Sequence, residues 1–145
     1  MKILIDADAC PVVDLTIELA IHYKIETILY CDKNHVLEKK NAKTIYINPG
    51  DDAVDFALLR DTKENDIVVT QDFGLASMIL AKKARCINQN GLIYNKFNID
   101  SLLFSRHMSQ KMRNNGKRTK GPKKREEKDD LNFKTSLTSL IESYK

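Results

Sequence analysis

The chain of 145 residues has no tryptophan, and aromatic residues make up only 7% of it. A core must therefore rest on Ile, Leu, Val and Ala, and a hydrophobic share of 42% is enough for one domain. Cysteine is scarce. Cys10, Cys31 and Cys86 are scattered, odd in number and form no CxxC pair, which argues against a disulfide framework, a zinc ribbon and a redox couple. Cys31 and Cys86 lie in or beside apolar strand-like runs and are expected to be inert core residues. No apolar run approaches the ~18 residues needed to cross a bilayer. Asp6 and Asp8 interrupt the first such run, unlike a secretory signal, so the expected setting is cytoplasmic, with no membrane partner.

Acidic residues are almost missing from one segment. Residues 106–128 hold ten Lys and Arg against two Asp and Glu, a net of +8, whereas residues 1–105 hold 12 against 15 and residues 129–145 hold two against three. Such a split suggests an anionic partner held by the basic segment and a different task for the mildly acidic body.

The remaining pattern alternates strands and helices. Lys2–Asp6 is a short apolar run ending in carboxylates, as a buried strand reads. Pro11 opens a helix to about Tyr23, since proline loses no hydrogen bond at the first helical position. Glu26–Cys31 and Thr44–Ile47 read as strands, the second stopped by Asn48-Pro49-Gly50, after which Asp51 or Asp52 caps a helix through Asp61. Ile67–Thr70 is a fourth strand, followed at once by a helix from Phe73 to about Lys82, and Arg85–Ile87 is a fifth. This alternation predicts a doubly wound, three-layer α/β domain with a mostly parallel sheet over residues 1–113. Its last helix runs from Ile99 to about Met112. Residues 114–128 read as a basic arm. Residues 129–145, with Leu131, Leu137, Leu140 and Ile141, read as a C-terminal helical segment. No internal repeat is visible.

In a doubly wound sheet, chemistry collects beyond the carboxyl ends of the strands. Asp6 ends the first strand, Asp8 follows two residues later, and Asp72 lies just past the fourth strand in Thr70-Gln71-Asp72. If the first and fourth strands are neighbours, the three converge. Asp55 is a fourth candidate: at about 100° per residue it projects between Leu58 and Leu59, toward the core. A carboxylate there costs several kcal/mol unless paired, protonated or metal-bound. Carboxylates brought this close raise one another's pKa unless a cation intervenes, and oxygen-only ligands select Mg²⁺ or Mn²⁺ over zinc. Such a site suits hydrolysis of a phosphodiester. The structural alternatives are that Asp72 caps the helix at Phe73, that Asp8 is a turn residue, and that Asp55 forms a capping pair with Asp52.

Two stretches, Ile3-Leu4-Ile5-Asp6-Ala7-Asp8-Ala9-Cys10-Pro11 and Asp66-Ile67-Val68-Val69-Thr70-Gln71-Asp72-Phe73-Gly74-Leu75-Ala76, resemble signatures of the YaiI/YqxD family. Arg118-Thr119-Lys120-Gly121-Pro122-Lys123 does so too, and the likeness runs nearly the whole chain. That family is grouped with PIN-like and NYN-type metal-dependent ribonuclease domains. The resemblance implies metal-site roles for Asp6, Asp8, Asp55 and Asp72. NYN-type domains often have Asn after the second of the paired aspartates, whereas Ala9-Cys10-Pro11 follows Asp8 here.

The basic segment offers Arg106, His107, Arg113, Arg118, Thr119, Lys120, Lys123, Lys124 and Arg125 as nucleic-acid-binding residues, and glycines 116 and 121 let backbone N–H groups approach phosphates. Contacts of this kind give affinity without reading sequence. No aromatic residue is interleaved, so base stacking is not indicated. His107 is placed to donate to a phosphate or shuttle a proton, or is simply a helix-surface histidine. Cys10 stands where a helix N-terminus would lower a thiol pKa, but no base is near it in sequence. The leading expectation is a Mg²⁺- or Mn²⁺-dependent nuclease acting on RNA, with Thr70 orienting a ligand or phosphate. A non-catalytic nucleic-acid-binding module is the second. A haloacid-dehalogenase-type phosphatase, which also opens with strand–Asp-x-Asp and uses the first Asp as nucleophile, is the third. Against the last, Cys10 sits where such enzymes place Thr or Val, and no paired acidic motif ends a late strand.

Overall fold

A computed structural model describes residues 1–34, 36–50, 52–116 and 124–144. Among these, six strands form one sheet in the order β3-β2-β1-β4-β5-β6. They are β1 (Lys2–Asp6), β2 (Glu26–Asp32), β3 (Lys43–Ile47), β4 (Ile67–Val69), β5 (Arg85–Ile87) and β6 (Ile93–Tyr94). The first five are parallel and β6 runs antiparallel to β5. Five helices accompany them: α1 (Val13–His22), α2 (Ala53–Asp61), α3 (Phe73–Ala81), α4 (Lys96–Asn114) and α5 (Glu127–Glu142). The expected α/β class and mostly parallel sheet are both present.

Alternate residues along each strand serve opposite faces, and both faces are apolar. Ile3, Ile5, Leu29, Val69 and Ile87 pack with α1 and with Phe133, Leu137 and Ile141 of α5. Leu4, Ile28, Val68 and Cys86 pack with Leu58 of α2, Leu75 and Ile79 of α3 and Ile99 of α4. Cys31 and Cys86 are buried, one in each core, as expected.

Several boundaries differ from the sequence reading. α1 starts at Val13 rather than Pro11, because a turn closed by Cys10 N–H donating to the Ala7 carbonyl, with Ala9 left-handed, occupies the preceding residues. α4 starts at Lys96 rather than Ile99. Asn95 Oδ1 accepts from the Phe97 and Asn98 N–H groups, and Asn98 Oδ1 accepts from the Asn95 N–H, a reciprocal cap outside the usual Ser/Thr–Glu pattern. Asp52 sits at the α2 N-cap in a left-handed conformation and its side chain makes no capping bond, so the expected Asp52 cap is absent. Asp51 lies outside the described residues. Of the arm expected over 114–128, Asn114 belongs to α4 and Glu127 and Lys128 begin α5, while residues 117–123 lie outside the described residues.

β6 was not foreseen. Its signal is Asn90-Gly91 between Ile87 and Ile93, a hairpin turn. Gly91 has φ +91°, and a Cβ there would lie 2.6 Å from the Asn132 carbonyl oxygen of α5, so only glycine fits.

Arg85, 9% exposed, fastens α5 to the sheet. Its guanidinium donates to the Leu140 carbonyl at 2.5 Å and to the Asn65 carbonyl at 2.8 Å, and its Cζ lies 3.4 Å from the centre of the Tyr144 ring. Burial holds its pKa below the ordinary arginine value. Arg85→Ala strands these carbonyls and removes the stacked cation, an expected cost of about 2–3 kcal/mol. The melting temperature should fall by roughly 5–10 °C. A drop under about 1 °C in a thermal melt would contradict this role.

Candidate active site at the switch point of the sheet

Strand order reverses between β1 and β4, and the crevice beyond their carboxyl ends is where ligands bind in such sheets. Asp6 closes β1 at this edge. Asp72 is the N-cap of α3, two residues after Thr70, which follows β4. Asp55 enters from the first turn of α2.

Hydrogen bonds fix the arrangement. Thr70 Oγ1 donates to Asp6 Oδ2 at 2.9 Å and accepts from the Asp72 N–H at 3.1 Å, so one hydroxyl sets both aspartates. Asp72 Oδ1 also accepts from the Leu75 N–H at 3.1 Å. The capping role considered for Asp72 therefore exists alongside its place in the cluster. Asp8 Oδ2 accepts from the Asp32 N–H at 3.0 Å, tying the loop after β1 to the end of β2. Tyr94 Oη donates to the Thr70 carbonyl at 3.2 Å, so the unforeseen β6 supports the same turn.

The cluster is strained electrostatically. Burial, then the negative charges of Asp72 and Asp6, push Asp55 up to about 7, and a hydrogen bond with Asp72 adds to the rise. Burial also raises Asp6, opposed by the Thr70 hydrogen bond and reinforced by Asp8 and Asp72. For Asp55, burial acts first, and the negative charges held close to it add to the rise. The capping pair suggested for Asp55 and Asp52 is not formed.

Asp6, Asp8, Asp72, Ala9, Gln71 and Phe73 line a cavity of about 370 Å³, together with Arg106 from the middle of α4. Arg106 Nη1 stands 4.0 Å from Asp72 Oδ1. The sequence reading placed Arg106 with the basic segment, but the fold brings it to the carboxylates. Asp55 faces an adjoining cavity that shares Asp72 and Arg106. Among the described residues, no three His, Cys, Asp or Glu side chains stand together as a ready-made metal ligand set.

Other expected residues fall elsewhere. His107 and Arg113 are exposed on α4. Lys124 is exposed beside a second, larger cavity. Arg125 does not offer a free guanidinium: it donates to Asp130, to Asn90 Oδ1 and to the Gln89 carbonyl, anchoring the start of α5 to the β5–β6 turn. Arg118, Thr119, Lys120 and Lys123 lie outside the described residues. Burial raises the Cys10 thiol, the reverse of the helix-terminus effect considered for it, because α1 starts beyond it. The sequence reading missed Gln71 and Phe73, both lining the cavity, and Phe56, exposed in α2 beside Asp55. Their signal was position alone, next to the candidate aspartates.

Comparison with known proteins covers nearly the whole chain. The family model described as "Uncharacterized BCR, YaiI/YqxD family" matches residues 4–143. A UPF0178 protein of Exiguobacterium sibiricum is 51% identical over 97% of this chain and 96% of its own length. Relatives of the same name from Clostridium novyi and Lachnoclostridium phytofermentans are 44% and 45% identical, covering 100% and 99% of this chain and 97% and 98% of theirs. No solved structure matches. With a family model spanning almost every residue and relatives this similar end to end, the chain belongs to the YaiI/YqxD family.

Proposed function

We propose that this protein is a divalent-metal-dependent nuclease with a PIN-like, three-layer fold that hydrolyses phosphodiester bonds in RNA. The observation that carries the reading is geometric: one Thr70 hydroxyl ties Asp6 to Asp72 in the switch-point crevice, where Asp8 lines the same cavity and Asp55 faces the one adjoining it. The donor set suits Mg²⁺ or Mn²⁺, since every available ligand is a hard oxygen. Mg²⁺ is commonly held by one or two carboxylates and completed by water, so the want of a preformed set of three does not oppose it.

Asp6 and Asp72 would hold the ion, with Asp55 and Asp8 as further or water-bridged donors. When bound, such an ion lowers the pKa of a coordinated water and offsets charge on the phosphoryl oxygens. Asp55, as a carboxylate beside a bound ion, would be able to orient a water. Thr70 keeps Asp6 in place. Arg106 is positioned to meet a non-bridging oxygen of the phosphate.

The purified protein should cleave single-stranded RNA with Mn²⁺ or Mg²⁺ and stop on addition of chelator. Equal cleavage in chelator would overturn the reading. The lack of a preformed ligand triad favours a second reading, a non-catalytic nucleic-acid-binding protein. Binding without metal-stimulated cleavage would establish that one instead.

A further inference from the structure

The acidic cavity does not end at its carboxylates. Toward α2 it shares Asp72 and Arg106 with a cavity of about 240 Å³ whose wall includes Phe56 and Met78. Toward α5 it shares Ala9 and Gln71 with a trough of about 730 Å³ walled by Gln89, Asn90, Lys124 and Lys128. The three lie side by side with shared walls along the carboxyl edge of the sheet. A ligand confined to the central cavity would leave the other two unused.

The two ends differ in chemistry. Phe56 is 64% exposed, although a buried Phe side chain would contribute about 1.5–3 kcal/mol. An aromatic face left in water at the wall of a groove is a platform on which a base can stack. At the other end, Gln89 Oε1 is buried with no hydrogen-bond partner. The Gln71 carboxamide oxygen and the Asn90 amide N–H groups add an acceptor and donors suited to base edges, the Asn90 oxygen being taken by Arg125 and the Gln71 amide by the Ala9 carbonyl. Arg125, committed to Asp130, Asn90 and the Gln89 carbonyl, holds this wall in shape rather than meeting ligand. Lys124 is exposed at the rim, and Lys128 Nζ, 3.5 Å from Glu126, is mostly exposed there too. Lys124, Arg125 and Lys128 line the trough together with Glu126 and Asp129, a small positive balance, while Arg106 stands beside the aspartates in the middle.

We infer that the acidic centre is the midpoint of a path for one strand of nucleic acid: Phe56 stacks a base on one side, and Lys124 and Lys128 hold phosphates on the other. This rests on the nuclease reading of the same centre. A duplex hides the faces of its bases from Phe56, so the path selects a single strand.

The test is fluorescence anisotropy with the full chain in Mg²⁺ buffer. The probes are a labelled single-stranded 2′-O-methyl RNA octamer, which resists cleavage, and the same octamer paired with its complement. The single strand should bind at least about 10-fold more tightly than the duplex. Phe56→Ala should weaken single-strand binding about 10-fold, within the range for losing one stacked base, and Phe56→Trp should restore it. Because Phe56 faces solvent, neither change threatens the fold. Lys124→Glu with Lys128→Glu should weaken binding about 10-fold and reduce the salt slope by about 1.4, the value for two phosphate contacts on a single strand. Lys43→Glu with Lys63→Glu changes the net charge equally at the opposite edge of the sheet and should bind as the parent does. The inference is overturned if F56A and the Lys124/Lys128 variant bind like the parent, if the Lys43/Lys63 variant loses as much, or if duplex binds as well as single strand. This binding pattern without any cleavage by the parent would sink the nuclease reading and leave the strand path standing. Cleavage that ignores all these substitutions would sink the path alone.

Discussion

Asp72→Asn is expected to reduce metal-dependent RNA cleavage by at least about 10³-fold while leaving the melting temperature within about 2 °C of the parent. The two possible roles of Asp72 separate cleanly in this variant. Asn is as good an N-cap as Asp, so the bond from the Leu75 N–H survives and α3 keeps its start. The negative charge and the second carboxylate oxygen do not survive. Charge stabilisation of several kcal/mol rests on the metal, and about 4 kcal/mol corresponds to 10³ in rate. Asp6→Asn should behave alike, because its amide oxygen can still accept from Thr70 Oγ1. Cleavage within tenfold of the parent by both variants would leave Asp72 only its cap and Asp6 only its hydrogen bond.

Mn²⁺ should stabilise the protein strongly above neutrality and weakly in mild acid. Asp55 titrates near 7 in the folded protein against an ordinary value of 3.8. Between those limits the folded state binds more protons than the unfolded one. Metal-free stability therefore falls as pH rises from about 4 through 7. Metal binding reverses the order, because the ion takes the carboxylate and must expel the proton at low pH. At pH 5.5 that competition weakens affinity roughly 30-fold relative to pH 8. Mn²⁺ at about 100 times its pH 8 dissociation constant should raise the melting temperature by roughly 8 °C at pH 8 and by roughly 2–3 °C at pH 5.5. Equal shifts at the two pH values would show that no carboxyl proton is displaced.

The sheet and the convergence of its aspartates were legible because they depend on period and position. Five apolar runs of strand length, all but the second and third separated by helices, admit few arrangements, and Asp6 and Asp72 then fall at neighbouring strand ends. Asp55 was legible as a carboxylate on a core-facing helix position. The cluster's surroundings were not. Arg106 lies 34 residues after Asp72 on a helix whose path over α3 is a matter of packing, so its approach to the carboxylates has no local signature. Tyr94, which steadies the Thr70 turn, sits in a two-residue strand too short for periodicity to register. Arg125 reads as one more cation in a basic run, yet Asp130 and the β5–β6 turn claim its guanidinium. Phe56 looks like an ordinary apolar residue until the fold turns it outward at a cavity wall.

The sharpest test is calorimetric titration of Mn²⁺ into the parent and Asp6→Asn at pH 7.5. One saturable binding event in the parent, lost or weakened at least tenfold in the variant, is the outcome expected of carboxylates that hold a shared cation. No heat from the parent, or identical isotherms from both proteins, would mean that these aspartates meet for structural reasons alone.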